Sequence, residues 1–597
     1  MKIPSISEIS AKAQNAIIRF PLTLLWAVGG STFFIKIMED SSYNYFKEHN
    51  DELLTLIVGL SWLIGIQFFI EQCKNPKKWQ WLKLIVLGLL GLFYWYMPAV
   101  QYYGDSPIYI FRFFLYLIAG HLFVLFAPFI LKWEKNAYWN YLKNTSIAIL
   151  RSLFYSGILY LGLILALAAI GALFEIHIKS RRYGQLFIFC LGTVNTWIYV
   201  SDFPKNIFKE TTIYFEKTLE VLVKFILIPL VILYILILYA YSGKIIIEWE
   251  LPKGWVSYLV IALSLLGYII QIIINPVQKE LKSWTINKFY PWFYILLIPL
   301  NILLFIAILR RVSDYGITEN RYFVLAIALW NLGIILYLLF SSKKALKVIP
   351  ISLFIIAILS SVGVWSAFNI SKTSQVKQFD TLFTAIKSND NIATSDELDR
   401  LQEIMDYLED RKEVSSLNSS TQLDLENFRD SVTDNTYETG WLNTTKIWDS
   451  IAFKVDTTSI PEDEYDSYYS LYSSNTRNTY TSITGFDSFT YINFYMNSEE
   501  RIEMDSHYLE LYPSNQSLRI YSTKNDTLAL EIPLTKKLIE LSKYGNSLDK
   551  APTTELTLEI TSTTLTCRLI FSELSFRKTK EGMELQNMSA FLLLKQN

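Results

Sequence analysis

Apolar residues run in long unbroken stretches over the first 370 positions, then give way to short segments in which they alternate with polar ones. A bilayer's hydrocarbon core takes about 20 mostly apolar helical residues to cross. Eleven stretches qualify as spans: 20–37, 53–70, 81–98, 108–131, 147–174, 184–200, 219–241, 255–274, 291–309, 322–340 and 348–367. The strongest include YLGLILALAAIGALF in the fifth and VLVKFILIPLVILYILILYAY in the seventh. The sixth is weakest, because Asn195 and Thr196 lie inside it. Aromatic clusters such as Phe93-Tyr94-Trp95-Tyr96 sit near span ends, as interfacial belts do. The pattern predicts an α-helical polytopic membrane bundle of about 11 helices over 19–370.

Ahead of the first span, Ile3, Ile6, Ile9, Ala13 and Ile17 share one helical face. Residues 1–18 are therefore expected to form an interfacial amphipathic segment rather than a cleavable leader. Lys74, Lys77, Lys78 and Lys83 fall in the second loop, and Lys132, Lys135 and Lys143 in the fourth; the intervening loops are nearly free of basic residues. Cytoplasmic loops carry the Lys/Arg excess, so the N-terminus is expected inside. The bias weakens after the fifth span, where Lys179, Arg181 and Arg182 fall on the outer side; with eleven crossings the C-terminal region lies outside, and if the sixth span does not cross it lies inside.

After residue 370 the period changes. Phe379, Leu382, Phe383 and Ile386 share a helical face, as do Leu398, Leu401, Met405 and Leu408, so 371–460 reads as a helical linker. Residues 461–485 are acidic and rich in Ser and Tyr, and read as a flexible loop. From 486 to 597 the period becomes two: SFTYINFYM, HYLELYP, SLRIYS, TLALEIP, ELTLEIT, TLTCRLIF and MSAFLLL are expected strands, with one helix in TKKLIELSKYG. This predicts a soluble α+β domain with an antiparallel sheet.

Charge sharpens the division. Residues 1–370 hold 32 Lys and Arg against 19 Asp and Glu, whereas the rest hold 22 against 36. The chain as a whole is 18% charged and 52% hydrophobic, which sets it apart from ordinary soluble enzymes. Its three cysteines and four histidines form no CxxC pair or His/Cys cluster. No metal site, cofactor or disulfide scaffold is expected, and no basic-aromatic platform points to nucleic acid. The commonest hydrolase, zincin and P-loop motifs are absent, which does not exclude catalysis; a transferase on a lipid-linked substrate, with His121 or Asp314 as base, ranks third because no pair of groups is poised for acid–base work.

Ionisable groups within spans cost about 2.5–3.5 kcal/mol at the bilayer centre, so each is a candidate functional residue. Arg112 and His121 lie nine residues apart in the fourth span and point to nearly opposite faces. Asn195 and Asn331 are further intramembrane polar candidates, suited to hydrogen bonds between helices. The densest polar cluster is RRVSDYGITENRYF between the ninth and tenth spans. There Arg310, Arg311 and Arg321 supply positive charge, and Asp314 and Glu319 supply carboxylates. Tyr315 is a further candidate in the cluster. Gly316 permits a turn closed to other residues, and Thr318 is placed to cap the next helix. Arginines beside a helix N-terminus suit a phosphate or lipid head group. The alternative is a capped interhelical turn neutralised by internal ion pairs.

Together Arg19-Phe20-Pro21, the many-span body and the Tyr315-Gly316-Ile317-Thr318-Glu319-Asn320-Arg321-Tyr322 loop resemble a bacterial family of polytopic inner-membrane proteins classed as a domain of unknown function. The resemblance covers roughly residues 15–370 and implies a location in the cytoplasmic membrane. It implies no activity. From the residues themselves, the leading reading is envelope transport or handling of an anionic lipid or glycan precursor. The second is a membrane-anchored scaffold or sensor whose acidic C-terminal domain docks a protein partner.

Overall fold

The computed structural model describes residues 6–40, 49–96, 107–248, 255–278, 283–341, 344–430, 441–455, 468–473, 483–495, 501–504, 506–512, 516–542, 547–551, 554–579 and 582–597. It divides into two compact units, Met1–Lys454 and Val455–Asn597.

The first unit is mainly helical, with two short strand pairs in its last part. Its apolar runs become α1 (Ile6–Arg19), α2 (Pro21–Asp40), α3 (Asn50–Glu71), α4 (Leu82–Tyr96), α5 (Ile108–Phe126), α6 (Lys135–Leu173), α7 (Arg181–Ile188) and α8 (Thr196–Ser201). There follow α9 (Lys217–Leu222), α10 (Ile228–Glu248), α11 (Trp255–Ile274), α12 (Trp284–Tyr315), α13 (Glu319–Phe340) and α14 (Val348–Ser361). A helix satisfies its own backbone hydrogen bonds, which is what hydrocarbon surroundings demand.

Among the described residues, eight helices are long and apolar enough to cross a membrane, not eleven. Two of the remaining apolar runs, α4 and α14, are shorter. The 348–367 run is cut because Gly363 takes a left-handed φ of 83° and Ser366 caps a new helix, accepting a hydrogen bond from the Asn369 amide. The 184–200 run is helical in succession through α7, a π-helical segment Phe189–Asn195 and α8.

The ends of the bundle are marked by contacts between helices distant in sequence. At one end Arg19 forks onto Glu71, at 2.8 and 2.7 Å, and donates to the Phe203 and Pro204 carbonyls. Phe68 meets Tyr141 there, and Lys347 donates to the Phe129 carbonyl. α5 and α14 start from opposite ends, and α14 finishes beside the first turn of α5. A buried polar network ties α11, α12 and α13: Asn331 donates to Ser264 Oγ and Asn301 Oδ1, both at 2.9 Å, and accepts from the Tyr268 hydroxyl.

The 371–460 region is more than a linker. α15 (Ala367–Ser388), α16 (Ser395–Glu409), α17 (Asn418–Thr421) and α18 (Thr444–Ile451) close on a core of Phe379, Phe383, Leu401, Met405, Leu408 and Ile447. Thr394 and Glu397 form a reciprocal capping box at the start of α16. These helices form a packed cap on the bundle, and residues 431–440 and 456–460 lie outside the described residues.

The second unit carries two sheets. β1 (Tyr468–Ser473), β2 (Ser488–Tyr495), β3 (Arg501–Glu503), β4 (His507–Tyr512), β5 (Ser517–Ser522) and β6 (Thr527–Pro533) precede α19 (Thr535–Leu541). Then come β7 (Ser547–Ala551), β8 (Thr557–Thr561), β9 (Leu565–Thr579) and β10 (Gly582–Gln596). The larger sheet runs β7-β1-β9-β10-β2, with β8 also paired to β9; the smaller is the meander β6-β5-β4-β3. Pairing is antiparallel except between β7 and β1. Leu565, Cys567, Leu569 and Phe571 alternate into the core, as a period of two requires. β1 corrects one expectation, since it lies in the stretch read as loop: Tyr469 and Leu471 are buried, and alternate burial pairs that segment with β9. The flanking residues 461–467 and 474–482 lie outside the described residues.

Candidate functional site

α12 ends at Tyr315 because Gly316 adopts φ 70° and ψ −178°, a backbone region essentially restricted to glycine. A Cβ there would also meet Gln378 Cγ at 2.9 Å and Gln375 Nε2 at 3.0 Å, so the cap helix α15 lies directly on the turn. The Tyr315 carbonyl accepts from Arg321 at 3.0 Å, from Gln375 at 3.0 Å and from Arg400 of α16 at 2.9 Å. The guanidinium groups of Arg321 and Arg400 both lie over the Tyr315 ring. The Gly316 carbonyl accepts from Arg321, and the Ile317 amide donates to Ser374 Oγ at 2.8 Å.

One turn further on, Glu319 is 2% exposed. Arg411 grips its carboxylate through Nε and Nη2 at 2.8 and 3.0 Å, and the Tyr407 hydroxyl donates to the same group at 2.8 Å. Burial would lower the Arg411 pKa, but the Glu319 carboxylate outweighs it and holds it above the usual value. Burial and the same carboxylate push the Tyr407 phenol up. Arg310 pairs with Asp314 at 2.9 Å, whereas Arg311 is exposed. Thr318 stands at the N-cap position of α13, but its side chain makes no capping bond. The loop is thus a joint that fastens the cap to the bundle, and most of its charge is matched inside the chain.

A second arrangement lies beside it. α3, α4, α5 and α14 leave between them an apolar groove of about 710 Å³, walled by Val58, Trp62, Leu90, Phe93, Tyr116 and Phe354. α3 and α5 approach closely because a Cβ on Gly120 would strike Trp62 Cδ1 at 2.8 Å, and the Trp62 indole donates to the Tyr116 carbonyl at 2.9 Å. Leu89 and Leu92 on α4 are exposed, so the groove opens toward the outside of the bundle.

Arg112 lines one end of this groove. Its guanidinium lies 4.9 Å from the ring centres of both Tyr96 and Phe368. Its Nε is buried and has no hydrogen-bond partner among the described residues, and no carboxylate pairs with it there. The same Arg112 lines an adjoining pocket of about 230 Å³ that includes Ser366, Asn369, Lys372, Arg411 and Glu413. In that pocket Lys372 is paired with Glu413, and Arg411 with Glu319. An apolar trough therefore ends at a cation held between two rings, under a polar roof supplied by the cap.

The other candidates are elsewhere. His121 is exposed on α5 and shares a hydrogen bond with the Leu117 carbonyl one turn back. Asn195 ends the π-helical segment, within 3.5 Å of Ser156 Oγ. Asn331 is committed to the buried network described above. Sequence reading missed Tyr407, Arg411, Lys372 and Glu413 because their partners are 41 to 92 residues away. Among the described residues, no group of three or more His, Cys, Asp or Glu could hold a metal ion.

An uncharacterized protein of Pasteurella multocida is 27% identical over 391 residues, covering 64% of this chain and 62% of that protein, so the match spans less than two thirds of the relative's length. No solved structure matches the chain. The model of the family described as a domain of unknown function (DUF4153) matches residues 41–398, which takes in the groove, Arg112 and the cap joint through α15, and the chain belongs to that family.

Proposed function

We propose that this protein is a multi-pass protein of the bacterial inner membrane that holds an anionic lipid for transport or presentation in the envelope. The acyl chain lies in the groove between α3, α4, α5 and α14, and the head group rests on Arg112. The observation that carries this reading is the buried, unpartnered Nε of Arg112 at the junction of an apolar groove and a polar pocket. A buried donor left unsatisfied costs about 1–3 kcal/mol, and a phosphate oxygen would relieve that cost. A lipid-linked glycan precursor offers the same combination of chain and anion.

Orientation follows from the basic loops. Lys74, Lys77, Lys78, Lys132 and Lys135 belong to the loops at the Arg19–Glu71 end, which the positive-inside rule assigns to the cytoplasm. On this reading α4, α14 and the 181–201 helix also cross. Arg112 and the cap then face the periplasm, and the C-terminal unit follows on that side. The test is lipid analysis of the purified full chain. Wild-type protein is expected to carry bound lipid, Leu90→Trp to lose it by filling the groove, and Arg112→Gln to hold about tenfold less of the anionic lipids, a charge-assisted contact being worth about 1.5–3 kcal/mol. Equal lipid content in all three proteins would refute the assignment.

A docking role for the C-terminal unit is the second reading. Phe489 and Tyr491 are exposed on β2, which is an edge strand among the described residues and a template for strand addition. Deleting 455–597 should then abolish partner capture while the bundle still inserts; retained capture would refute it.

A further inference from the structure

Resting on that lipid reading, the charges around Arg112 say which head group the site accepts. Four charged side chains line the polar pocket: Arg112, Lys372, Arg411 and Glu413. Arg411 is satisfied by Glu319, which grips it through both carboxylate oxygens. Lys372 is satisfied by Glu413. That leaves the guanidinium of Arg112 as the one cation of the pocket without a carboxylate among the described residues. The two rings that flank it stabilise the cation, but they accept no hydrogen bond in the guanidinium plane.

From this count we infer that the site selects a monoanionic phosphodiester lipid without a cationic head group, of the phosphatidylglycerol type. One phosphodiester charge neutralises Arg112, and a guanidinium matches phosphate oxygens through its forked donors. A zwitterionic lipid fits worse. Its ammonium needs a carboxylate, and the one carboxylate lining the pocket is already held by Lys372. To seat the ammonium, Lys372 would have to be displaced and left as an unpaired cation. In the pocket's remaining polar lining, Ser366 Oγ already accepts from the Asn369 amide and Asn369 Nδ2 donates to the Val364 carbonyl, so the Ser366 hydroxyl hydrogen and Asn369 Oδ1 are what face head-group hydroxyls, and neither carries charge.

Lys372 is thus a specificity residue that acts through Glu413, and its replacement should change preference rather than capacity. The experiment loads the purified full chain from an equimolar mixture of dioleoyl phosphatidylglycerol, phosphatidylethanolamine and phosphatidylcholine, and reads the retained lipids by native mass spectrometry. Wild-type protein is expected to enrich phosphatidylglycerol about tenfold over the other two, the size of the one charge-assisted contact that their ammonium groups lack in the pocket. Arg112→Gln, which removes the phosphate contact that all three lipids share, should lower the retention of all three. Lys372→Gln releases Glu413, so retention should move toward phosphatidylethanolamine and leave phosphatidylcholine, whose ammonium donates no hydrogen bond, behind. Equal retention of the three lipids by wild-type protein, with loss of all three in Leu90→Trp, would overturn the head-group inference and leave the groove reading standing. Retention of no lipid, or retention unaffected by Leu90→Trp, would overturn both. An unchanged preference in Lys372→Gln would remove Glu413 from the selection and overturn the charge count.

Discussion

Removing Arg411 should release the cap from the bundle. In the folded chain the Glu319 side chain is 3% exposed and that of Arg411 12%, and the pair is joined by two hydrogen bonds of 2.8 and 3.0 Å. Breaking such a pair by deleting one partner costs about 3–5 kcal/mol, because the survivor stays buried and uncompensated. At 1.4 kcal/mol per tenfold, that corresponds to roughly a 10²–10⁴ rise in the population of the detached cap. Arg411→Met keeps the apolar stem and removes the charge, leaving Glu319 with the Tyr407 hydroxyl. Hydrogen exchange of the α16 amides measures the opening directly, since a local opening equilibrium sets their protection. Adding Glu319→Gln to Arg411→Met removes the stranded carboxylate and should restore most of the lost protection, because replacing both members of a buried pair is often close to neutral. Wild-type exchange in Arg411→Met, or a double variant as labile as the single one, would refute this role for the Glu319–Arg411 pair.

Three further outcomes are expected. Gly316→Ala places a Cβ in a backbone region essentially closed to it and 2.9 Å from Gln378, and should lower stability by about 1–3 kcal/mol; an unchanged melting temperature would contradict this. Asp406 on α16 has its pKa raised above 3.8 by burial and by Asp410, so the folded cap favours its protonated form and is weakened when it ionises. Asp406→Asn should therefore stabilise the cap at neutral pH, with the advantage shrinking as pH falls through the raised pKa and gone below 3.8, where the acid is neutral folded or unfolded; a gain independent of pH would refute it. Of the three free cysteines only Cys73 is partly exposed, just past Glu71, and burial holds its thiol pKa up. A membrane-impermeant maleimide at alkaline pH should label inside-out vesicles and not intact cells, and the reverse pattern would invert the proposed orientation.

The membrane character of the chain and the strands of its tail were legible in the one-dimensional pattern, for a local reason. A lipid-facing backbone must bond within its own helix, so long apolar runs such as 219–241 become helices whatever surrounds them. A half-buried strand must alternate, so SLRIYS and TLALEIP announce themselves. Local signals also located Gly316 and the capping position of Thr318, although the capping bond is not made. The failures have physical causes as well. The 348–367 run looked continuous because hydropathy does not register that Gly363 has turned left-handed. Tyr468–Ser473 looked like loop because its neighbours are polar, while the β9 strand that buries it lies about a hundred residues on.

The pattern along the chain therefore determined most of the long apolar helices and most of the strands, because those outcomes depend on each segment's own surface against solvent or lipid. The chemistry of the candidate site was decided by the tertiary structure alone. Glu319 and Arg310 look equally available in a cluster of charges, but only packing gives Glu319 to Arg411, 92 residues later, and leaves Arg310 with its own helix neighbour. Arg112 stands out for the complementary reason. Whether a buried cation is matched depends on every charge that folding brings within a few ångströms of it, and sequence order carries no record of those distances.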